Sequence, residues 1–380
     1  MPRRLRVGDL PTPALLLDLD VLEGNLDRMA ARARTLGVSL RPHVKTHKCL
    51  EVGRRQLAHG AGGITVATLG EAQAFADGGF GDVTWAFPLV VGRLDEVIAL
   101  ARRITFRVTL DSPEALEALA AAARAAGLVV HAWLEVDTGQ HRSGVDPAAA
   151  ASVALARRLA EERGVAFDGL LTHAGQSYQA SSRAERAAVA ERERAAMVAF
   201  AALLEGEGVR VPGISVGSTP GMSAVERLDG VTEARPGNYA FYDYMQLAAG
   251  VCAEEDCAVT VLASVVSHQP GAGHVVLDAG ALALSKDPGP HDPALARGLG
   301  PLLAGLGGHR LDPRLSVRGV SQEHGTAAGE GPADVGGRLR VGEKVRILPN
   351  HSCLTAALFD AYQVVRGEDV VDAWAIWRRR

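Results

Sequence analysis

The sequence predicts a (β/α)8 barrel of the TIM type joined to a mainly β C-terminal module, and two patterns indicate this fold class. Between residues 38 and 241, eight short apolar runs alternate with Ala-, Leu-, Arg- and Glu-rich stretches that have helical spacing. After about residue 250, Val-rich runs are instead separated by Gly, Pro and Asp turns. Parallel strands need crossover helices, so the first pattern favours a barrel, whereas the second is typical of an all-β module.

The predicted elements follow the chain in order. A strand over 14–20 precedes the barrel and is expected to join the β module, and a helix covers 21–36. The barrel strands are predicted at 38–44, 63–68, 82–87, 104–110, 129–137, 166–173, 213–218 and 232–241. The clearest crossover helices cover 112–127 and 182–208. We therefore expect a barrel domain over 22–248 and a β domain formed by 1–21 and 249–380.

Composition argues against several classes of protein. The chain has 380 residues, a formal net charge of −4 and 47% hydrophobic residues. The charge argues against a nucleic-acid-binding protein, and the apolar content argues against global disorder. No apolar run approaches the roughly 18 residues of a membrane span, and the N-terminal residues do not resemble a signal peptide. Four cysteines are too few for a disulfide scaffold, so we expect a cytoplasmic protein.

Lysine is scarce in this chain. There are four lysines against 36 arginines, and two of the four lie together in Pro-His-Val-Lys45-Thr-His-Lys48. A lysine amine can lose its proton and form an imine with an aldehyde, which the arginine guanidinium cannot do. A solvated basic loop is the alternative interpretation of this segment.

Several candidate residues lie at the end of a predicted barrel strand, just after one, or on the eighth strand, and the active sites of such barrels lie at the C-terminal ends of the strands. In chain order these candidates are Lys45, Arg142, His173, Ser218, Thr219, Arg235, Gly237 and Asn238. The turn Gly-Ser-Thr-Pro-Gly over 217–221 could present backbone N–H groups and hydroxyls to an anion. Taken singly, each residue also has a structural interpretation, as a loop residue, a core histidine or an ion-pair partner.

A second candidate site is the pair His351 and Cys353, which follows a strand-like run over 344–348. In an extended segment, residues two apart point to the same face. Imidazole and thiolate suit Zn2+, and two protein ligands would leave positions open for water or substrate. In isolation, a His-x-Cys pair usually binds no metal.

Together these motifs resemble the fold-type III enzymes that use pyridoxal 5'-phosphate (PLP), and within them the D-serine dehydratase and D-threonine aldolase family. Besides the lysine motif, the matching segments include Asp137-Thr-Gly-Gln-His-Arg142, His173-Ala-Gly-Gln-Ser-Tyr178 and Arg235-Pro-Gly-Asn-Tyr. The resemblance covers about residues 10–375. It implies an alanine-racemase-like barrel with a β domain, a homodimer, and a small D-amino acid as the substrate.

The resemblance also implies roles for the matching residues. Lys45 would carry PLP on its amine, and it would act in catalysis together with His173 and Arg142. His173 would pack beside the pyridine ring, and Arg142 would contact the phenolic oxygen or the ring. Arg235 would face the pyridine nitrogen, in an environment that Tyr178 would share.

Two further groups of roles follow from the same resemblance. The phosphate of PLP would be bound by Ser218 and by the backbone around Thr219, Gly237 and Asn238. A divalent metal ion would be bound by His351 and Cys353.

The residue at position 353 favours one branch of the family. D-threonine aldolases typically have His-x-Asp at the metal and use Mn2+ or a similar ion, whereas D-serine dehydratases have His-x-Cys and zinc. Cys353 therefore favours a D-serine dehydratase, which forms a 2-oxo acid and ammonia. A D-threonine aldolase, which forms glycine and an aldehyde, is the main alternative, and a D-3-hydroxyaspartate dehydratase is another.

Three alternatives lie outside this chemistry. An amino-acid racemase would need no metal and would usually take a tyrosine from the β domain as a second acid or base. A non-catalytic PLP carrier shares the barrel but lacks the β domain that the residues after 250 predict. A purely structural barrel would leave the whole set of polar residues unexplained.

Overall fold

The computed structural model describes residues 5–269, 271, 273–290, 292–331, 335 and 338–378. These residues group into two compact units. The barrel unit consists mainly of Arg28–Lys45 and Val52–Gly237, and the sheet unit consists of the residues before Arg28 together with Thr46–Glu51 and Asn238–Trp377. Within the described ranges, every helix is too short or too polar to cross a lipid bilayer.

The helices and strands of the described residues are as follows. The helices are α1 (Leu19–Thr35), α2 (Leu50–Ala58), α3 (Leu69–Asp77), α4 (Leu94–Ala101), α5 (Pro113–Ala125), α6 (Ala150–Glu161), α7 (Arg183–Gly206), α8 (Thr219–Ala224), α9 (Tyr244–Ala248), α10 (Ala281–Leu284) and α11 (Ser352–Ala356). The first nine strands are β1 (Ala14–Asp18), β2 (Ser39–Leu40), β3 (Ile64–Val66), β4 (Asp82–Pro88), β5 (Thr105–Leu110), β6 (Val130–Glu135), β7 (Val165–Leu171), β8 (Ile214–Val216) and β9 (Glu233–Ala234). The remaining strands are β10 (Val259–Gln269), β11 (His274–Leu277), β12 (Pro301–Leu303), β13 (Leu311–Val320), β14 (Gly325–Ala328), β15 (Lys344–Ile347), β16 (Ala361–Arg366) and β17 (Asp369–Ala375).

The barrel unit is built on parallel strands in the order β2-β9-β8-β7-β6-β5-β4-β3. Backbone hydrogen bonds connect its two end strands, β2 and β3. The Gly62 N–H donates to the Leu40 carbonyl at 2.9 Å, and the Thr65 N–H donates to the Pro42 carbonyl at 2.8 Å. The predicted fold class is confirmed, and each predicted barrel strand is present in the predicted order.

Two barrel strands, β2 and β9, are shortened most relative to the prediction. Strands β2 and β9 have two residues each. Each is followed within two residues by a proline, Pro42 after β2 and Pro236 after β9. Proline has no N–H to donate to a neighbouring strand, so regular pairing stops there and the chain turns into the loops that carry the candidate residues.

The two long crossover helices begin where the sequence has a capping residue. Ser112 accepts a hydrogen bond from the Ala115 N–H at the start of α5, and Pro113 follows it in the first turn. Ser182 accepts from the Glu185 N–H at the start of α7. A serine oxygen at this position satisfies one of the N–H groups that a helix start leaves unpaired. Both predicted helices are therefore confirmed.

Charged side chains form a network near the N-terminal ends of the barrel strands. Arg41 forms ion pairs with Asp82 at the start of β4 and with Glu233 at the start of β9. Arg107 on β5 pairs with Asp82 and also with Asp168 on β7. Because these ion pairs link different strands, they stabilise the N-terminal end of the barrel. The loops that carry the candidate residues lie at the other end.

The sheet unit contains a sheet in the order β11-β14-β13-β12-β15-β10-β1-β16-β17, and β11 also pairs with β10. This extra pairing closes six antiparallel strands into a ring. Strand β10 can pair with β11 as well as with β15 and β1, because it is 11 residues long and its register shifts between Val265 and Ser267. The antiparallel module that the Val-rich runs predict is confirmed. The short strands β12 and β14 are not among those runs.

The early run over 14–20 supplies strand β1, as expected. β1 pairs antiparallel with β10, where Leu16 is opposite Thr260, and parallel with β16, where Leu16 is opposite Gln363. Leu15, Leu16 and Leu17 are fully buried. A strand with neighbours on both sides and apolar residues on both faces explains why this run lacks polar alternation.

We expect Gly169→Ala to lower the free energy of unfolding by about 2–4 kcal/mol. Gly169 follows a register shift on β7, has φ +123°, and an added Cβ would lie 2.0 Å from the Gly213 carbonyl oxygen. Gly206→Ala is the matched control, because Gly206 ends α7 and a Cβ added there would have no neighbouring atom within 4 Å. The control should be neutral or stabilising by up to about 1 kcal/mol. Urea denaturation followed by tryptophan fluorescence measures both, and equal stability of the two variants would contradict this geometry of β7.

Candidate active site

Lys45 lies just beyond the C-terminal end of β2. It is the central residue of the turn Val44–Thr46, and its side chain is exposed. Its backbone N–H donates to Nδ1 of His43 at 3.4 Å, whereas the side chains of His43 and Val44 are buried. The chain therefore buries the residues before Lys45 and leaves the amine of Lys45 on the surface of the barrel unit.

His173 follows β7 and is surrounded by positive charge. Burial and the charges of Lys45, Arg142 and Arg235 lower its pKa from 6.5 to about 3. These three cations are therefore close enough to His173 to act on its charge. Tyr178 lies nearby, with its ring centroid 6.3 Å from that of His173. The imidazole is neutral at physiological pH and presents an uncharged ring to this site.

Arg142 stands on a tightly bonded loop after β6. Asp137 Oδ1 accepts the N–H groups of Gly139 and of the next two residues at 2.9–3.0 Å. On the other side of the arginine, the Ser143 hydroxyl donates to Glu135 at 2.9 Å. Arg142 is exposed, and its guanidinium has no hydrogen-bond or ion-pair partner in the described part of the chain. The loop thus holds an available cation.

Ser218 and Thr219 begin α8 directly after β8. The Ser218 hydroxyl accepts the Gly221 N–H at 3.1 Å and lies 2.7 Å from the Ser177 hydroxyl. Both Ser218 and Thr219 are buried. Gly217, before them, has φ +103°, a conformation that favours glycine. The predicted anion-binding turn is therefore a capped helix start, with backbone N–H groups and two hydroxyls close together.

Arg235 is buried immediately after β9. Its guanidinium donates to the Ser215 hydroxyl and to the Thr172 carbonyl, one residue before His173. Ser215 in turn donates to Glu233 at 2.6 Å, which is the partner of Arg41. Arg235 is thus anchored to the charged network of the barrel. Gly237, two residues further on, is the last residue of this segment of the barrel unit.

Glu193 is a site residue that the sequence did not reveal. It lies in the middle of α7, and one of its oxygens accepts the N–H groups of Ala174 at 2.9 Å and of Gly217 at 3.3 Å. Glu193 therefore ties together the turns that follow β7 and β8. Burial raises its pKa to about 6. The available signal was its position in an otherwise apolar stripe of the helix, between Val189 and Met197.

His351 and Cys353 lie in the sheet unit at the start of α11. The expectation that they share one face of an extended strand is wrong, because only His351 is extended and Cys353 is already in the first turn of the helix. Asp243, a buried residue that the sequence did not reveal, explains this turn. Its Oδ2 accepts the N–H of Ser352 at 3.0 Å, which caps the helix from outside.

The two side chains nevertheless influence each other's charge. Nδ1 of His351 lies 3.1 Å from Oδ2 of Asp287. Burial disfavours the imidazolium, but Cys353 and Asp287 outweigh it and raise the pKa of His351 to about 11. Burial likewise disfavours the thiolate, yet the charge of His351 lowers the pKa of Cys353. Each group therefore favours the charged form of the other.

Cys353 has two further polar neighbours in the sheet unit. Its Sγ lies 3.3 Å from Oγ1 of Thr46 and 3.8 Å from Nδ2 of Asn238. The same Asn238 amide donates to Asp243 at 2.7 Å and to Ser352 at 3.0 Å. Asn238, which sequence analysis connected with phosphate through its backbone, thus has its side chain beside Cys353.

The donor set fits an open metal site. A neutral imidazole and a thiolate are ligands that Zn2+ prefers, and a carboxylate on the other imidazole nitrogen is the usual support of a metal-binding histidine. In the described part of the chain, no group of three or more His, Cys, Asp or Glu side chains is arranged to hold a metal ion. Any metal held by His351 and Cys353 would therefore keep positions for ligands other than these side-chain types.

The barrel residues fit PLP. The cofactor has an aldehyde, an aromatic ring and anionic oxygens, and the barrel unit offers an exposed amine, a neutral imidazole and a guanidinium that lacks a partner among the described residues. The helix start at Ser218 adds donors of the kind that bind phosphate.

The sequence matches two families. Residues 17–245 match the alanine racemase N-terminal domain family, and residues 258–365 match the serine dehydratase domain. The chain belongs to this alanine-racemase-like family. A D-threo-3-hydroxyaspartate dehydratase of Delftia sp. (strain HT23) is 42% identical over 369 residues, which are 96% of this chain and 97% of that protein. A D-serine dehydratase of Dictyostelium discoideum is 33% identical, over 96% of each chain.

The family also contains carbon–carbon lyases. A D-threonine aldolase of Arthrobacter sp. is 34% identical to this member, over 100% of this chain and 96% of the relative. Among solved structures, the dehydratase from Delftia sp. HT23 has a TM-score of 0.94 and 40% identity, over 99% of this chain and 100% of its own. An H351A variant and a C353A variant of such a dehydratase each have a TM-score of 0.95, and the second is described as the metal-free form.

We expect the free energy of unfolding to depend less on pH in the Glu193→Gln variant than in the wild type. The pKa of Glu193 is about 6 against an ordinary 4.5, so the folded chain holds this proton more tightly than the unfolded chain does. Ionisation of Glu193 therefore destabilises the fold as the pH rises from about 4.5 to about 6, by roughly 2 kcal/mol in total. A glutamine oxygen can accept the same two N–H groups without this cost.

The measurement is the free energy of unfolding, by chemical denaturation, of wild type and variant between about pH 4.5 and pH 7. The advantage of Glu193→Gln should grow with pH by roughly 2 kcal/mol. Glu191→Gln on the same helix is the control, because the Arg194 hydrogen bond holds the pKa of Glu191 at about 2. Its difference from wild type should be nearly flat above about pH 5. A flat Glu193→Gln difference would show that the Glu193 carboxylate is not buried between the two turns.

Proposed function

We propose that this protein is a PLP- and divalent-metal-dependent dehydratase of D-3-hydroxy amino acids. The observation that carries the proposal is the placement of His351 and Cys353 together at the start of α11, with Asp287 beside the imidazole. The two residues have the type and spacing that the dehydratase branch uses for its metal. The metal-free description of a C353A variant of a dehydratase 40% identical to this chain supports the same assignment.

The residues of the barrel unit would hold PLP in this proposal. Lys45 would carry it, Arg142 would contact its phenolic oxygen, and Arg235 would face its pyridine nitrogen. The remaining contacts would come from His173, Tyr178, Ser218, Thr219, Gly237 and Asn238. PLP, when bound, withdraws electrons from the α-carbon of an amino acid.

The chain's own groups would then carry the proton movements and the orientation. Nζ of Lys45 is the proposed acceptor of the proton on the α-carbon. The neutral His173 would hold the ring without adding charge. Arg235 is already bonded to Ser215 and Thr172, so it would present a fixed cation rather than a proton donor.

His351 and Cys353 would hold the divalent metal in this proposal. A divalent metal, when bound, polarises a hydroxyl on the β-carbon and assists its departure. We propose Zn2+, because a thiolate favours it over Mn2+. Loss of water from the substrate, followed by hydrolysis, would yield a 2-oxo acid and ammonia.

The comparisons bear on the choice of substrate. Cys353 favours a dehydratase over an aldolase, and a dehydratase of 3-hydroxyaspartate has 42% identity against 33% for a D-serine dehydratase. We therefore put D-threo-3-hydroxyaspartate beside D-serine as the proposed substrates. We also propose a homodimer, as the family resemblance implies, and a cytoplasmic location, as the small number of cysteines predicts.

A direct assay tests the proposal. The purified protein is incubated with D-threo-3-hydroxyaspartate, D-serine and D-threonine in turn, and 2-oxo acid, ammonia, glycine and aldehyde are quantified. Formation of a 2-oxo acid with equimolar ammonia supports the dehydratase. Glycine with an aldehyde as the main products would establish the aldolase instead, and racemised amino acid alone would contradict both.

We expect Lys45→Ala to purify without the visible absorbance of bound PLP and to lose activity. Lys45 is the exposed lysine of the barrel unit at the end of β2. Lys48→Ala is the matched control, three residues away, and should keep both the absorbance and the activity. Reduction with borohydride followed by peptide mapping identifies the modified lysine. Cofactor attached to another lysine would refute the assignment.

We expect a chelator to abolish activity, by at least about 100-fold, while the PLP absorbance and the melting temperature stay nearly unchanged. Zn2+ should restore the activity. Cys353→Asp should keep a metal site but shift its preference from Zn2+ toward Mn2+, since a carboxylate is a harder ligand than a thiolate. Full-rate turnover by the chelated enzyme, or full activity of Cys353→Ala, would rule out a metal role for this pair.

A further inference from the structure

Asp287 is a carboxylate of the sheet unit that no sequence motif marks. It lies in the loop after α10, 64 residues before His351 in the chain, yet its Oδ2 is 3.1 Å from Nδ1 of His351. Only 17% of its side chain is exposed. We propose that Asp287 is a positioning residue that orients the imidazole of His351 toward a metal ion, an inference that rests on the proposed function.

The chemistry of imidazole explains why the contact matters. A neutral imidazole has one N–H and one lone pair, and a metal binds at the lone pair. When Nδ1–H of His351 donates to Asp287, the lone pair is on Nε2. The carboxylate therefore selects one tautomer and one ring orientation, and its negative charge makes Nε2 a stronger donor to the metal.

Asp287 is itself held in place by its own loop. Its Oδ1 accepts the Gly289 N–H at 2.9 Å, which leaves Oδ2 for His351. Its N–H donates to the Ser285 hydroxyl at 3.2 Å, and its carbonyl accepts from Nδ2 of Asn350 at 2.9 Å. Asn350 directly precedes His351, so two consecutive residues of the metal-binding segment are tied to the same loop.

The packing of this loop leaves no room for variation at Gly289. Gly289 has φ +84°, and an added Cβ would lie 2.8 Å from Nδ2 of Asn350. The loop is thus built around the Asp287–Asn350 contact. Asp287 does not complete a metal site itself, because its oxygen faces Nδ1 and the described residues include no group of three metal-binding side chains.

The test is the affinity of the PLP-containing enzyme for Zn2+ and for Co2+, measured by competition with a chromophoric chelator. Five proteins are compared: wild type, Asp287→Ala, Asp287→Asn, Asp292→Ala and His351→Ala. Asp292 is the matched control, because it is a nearby exposed aspartate that accepts one backbone N–H, from Ala294, at 2.9 Å. The Co2+ absorption spectrum reports the coordination, and the PLP absorbance and melting temperature report the fold.

Asp287→Ala should weaken metal binding by 10- to 100-fold with little change in the PLP absorbance, the range seen when such supporting carboxylates are removed. Asp287→Asn keeps an acceptor for Nδ1–H but loses the charge, so it should bind several-fold more weakly than wild type. Asp292→Ala should bind as wild type does. Asp287→Asn also decides the question if Asp287→Ala fails to fold.

Two results would overturn the inference, and they have different meanings. If either folded Asp287 variant binds metal within twofold of wild type while His351→Ala loses it, Asp287 does not position the ligand but the proposed function stands. If His351→Ala binds metal as tightly as wild type, the metal assignment of the proposed function fails together with the inference.

Discussion

The buried chain of contacts from Arg41 through Glu233 and Ser215 to Arg235 is the constraint on which the barrel unit depends. It connects the residue that follows β2 with β9 and β8, the next two strands in the sheet order. Breaking a buried ion pair by removing one partner typically costs about 3–5 kcal/mol, because the other charge stays uncompensated. The same guanidinium that ends this chain holds the Thr172 carbonyl, and so sets the backbone that carries His173.

Buried carboxylates play a common role in the two units. In the barrel unit, Glu193 accepts backbone N–H groups of two turns that carry candidate residues. In the sheet unit, Asp243 accepts the backbone N–H of Ser352, in the turn between His351 and Cys353. In each case burial raises the pKa of the carboxyl, which is the electrostatic cost of placing it there. Loops that present reactive groups are thus held by acids that do not themselves react in the proposed mechanism.

Periodicity and chain order were sufficient to predict the barrel, the β module and the strand that joins it from the N-terminal side. The residues grouped around His173 could be found because they follow predicted strands. The conformation of the His351–Cys353 pair could not, since it depends on Asp243, more than a hundred residues earlier. Glu193, Asp243 and Asp287 also escaped prediction, because each acts through a contact between segments far apart in the chain, and a single acidic residue has no motif.

Strand β1 gives the molecule an unusual order of assembly. Its partner β16 is distant in the chain. Leu16 and Gln363 are 347 positions apart, and the barrel segments Arg28–Lys45 and Val52–Gly237 lie between them. During synthesis the largely apolar strand therefore stays unpaired on that edge until β16 has been made. Such long-range pairing slows folding and prolongs exposure of sticky surface. The barrel segment, whose neighbours in space are mostly neighbours in sequence, is free to fold in the meantime, and the sheet then closes last.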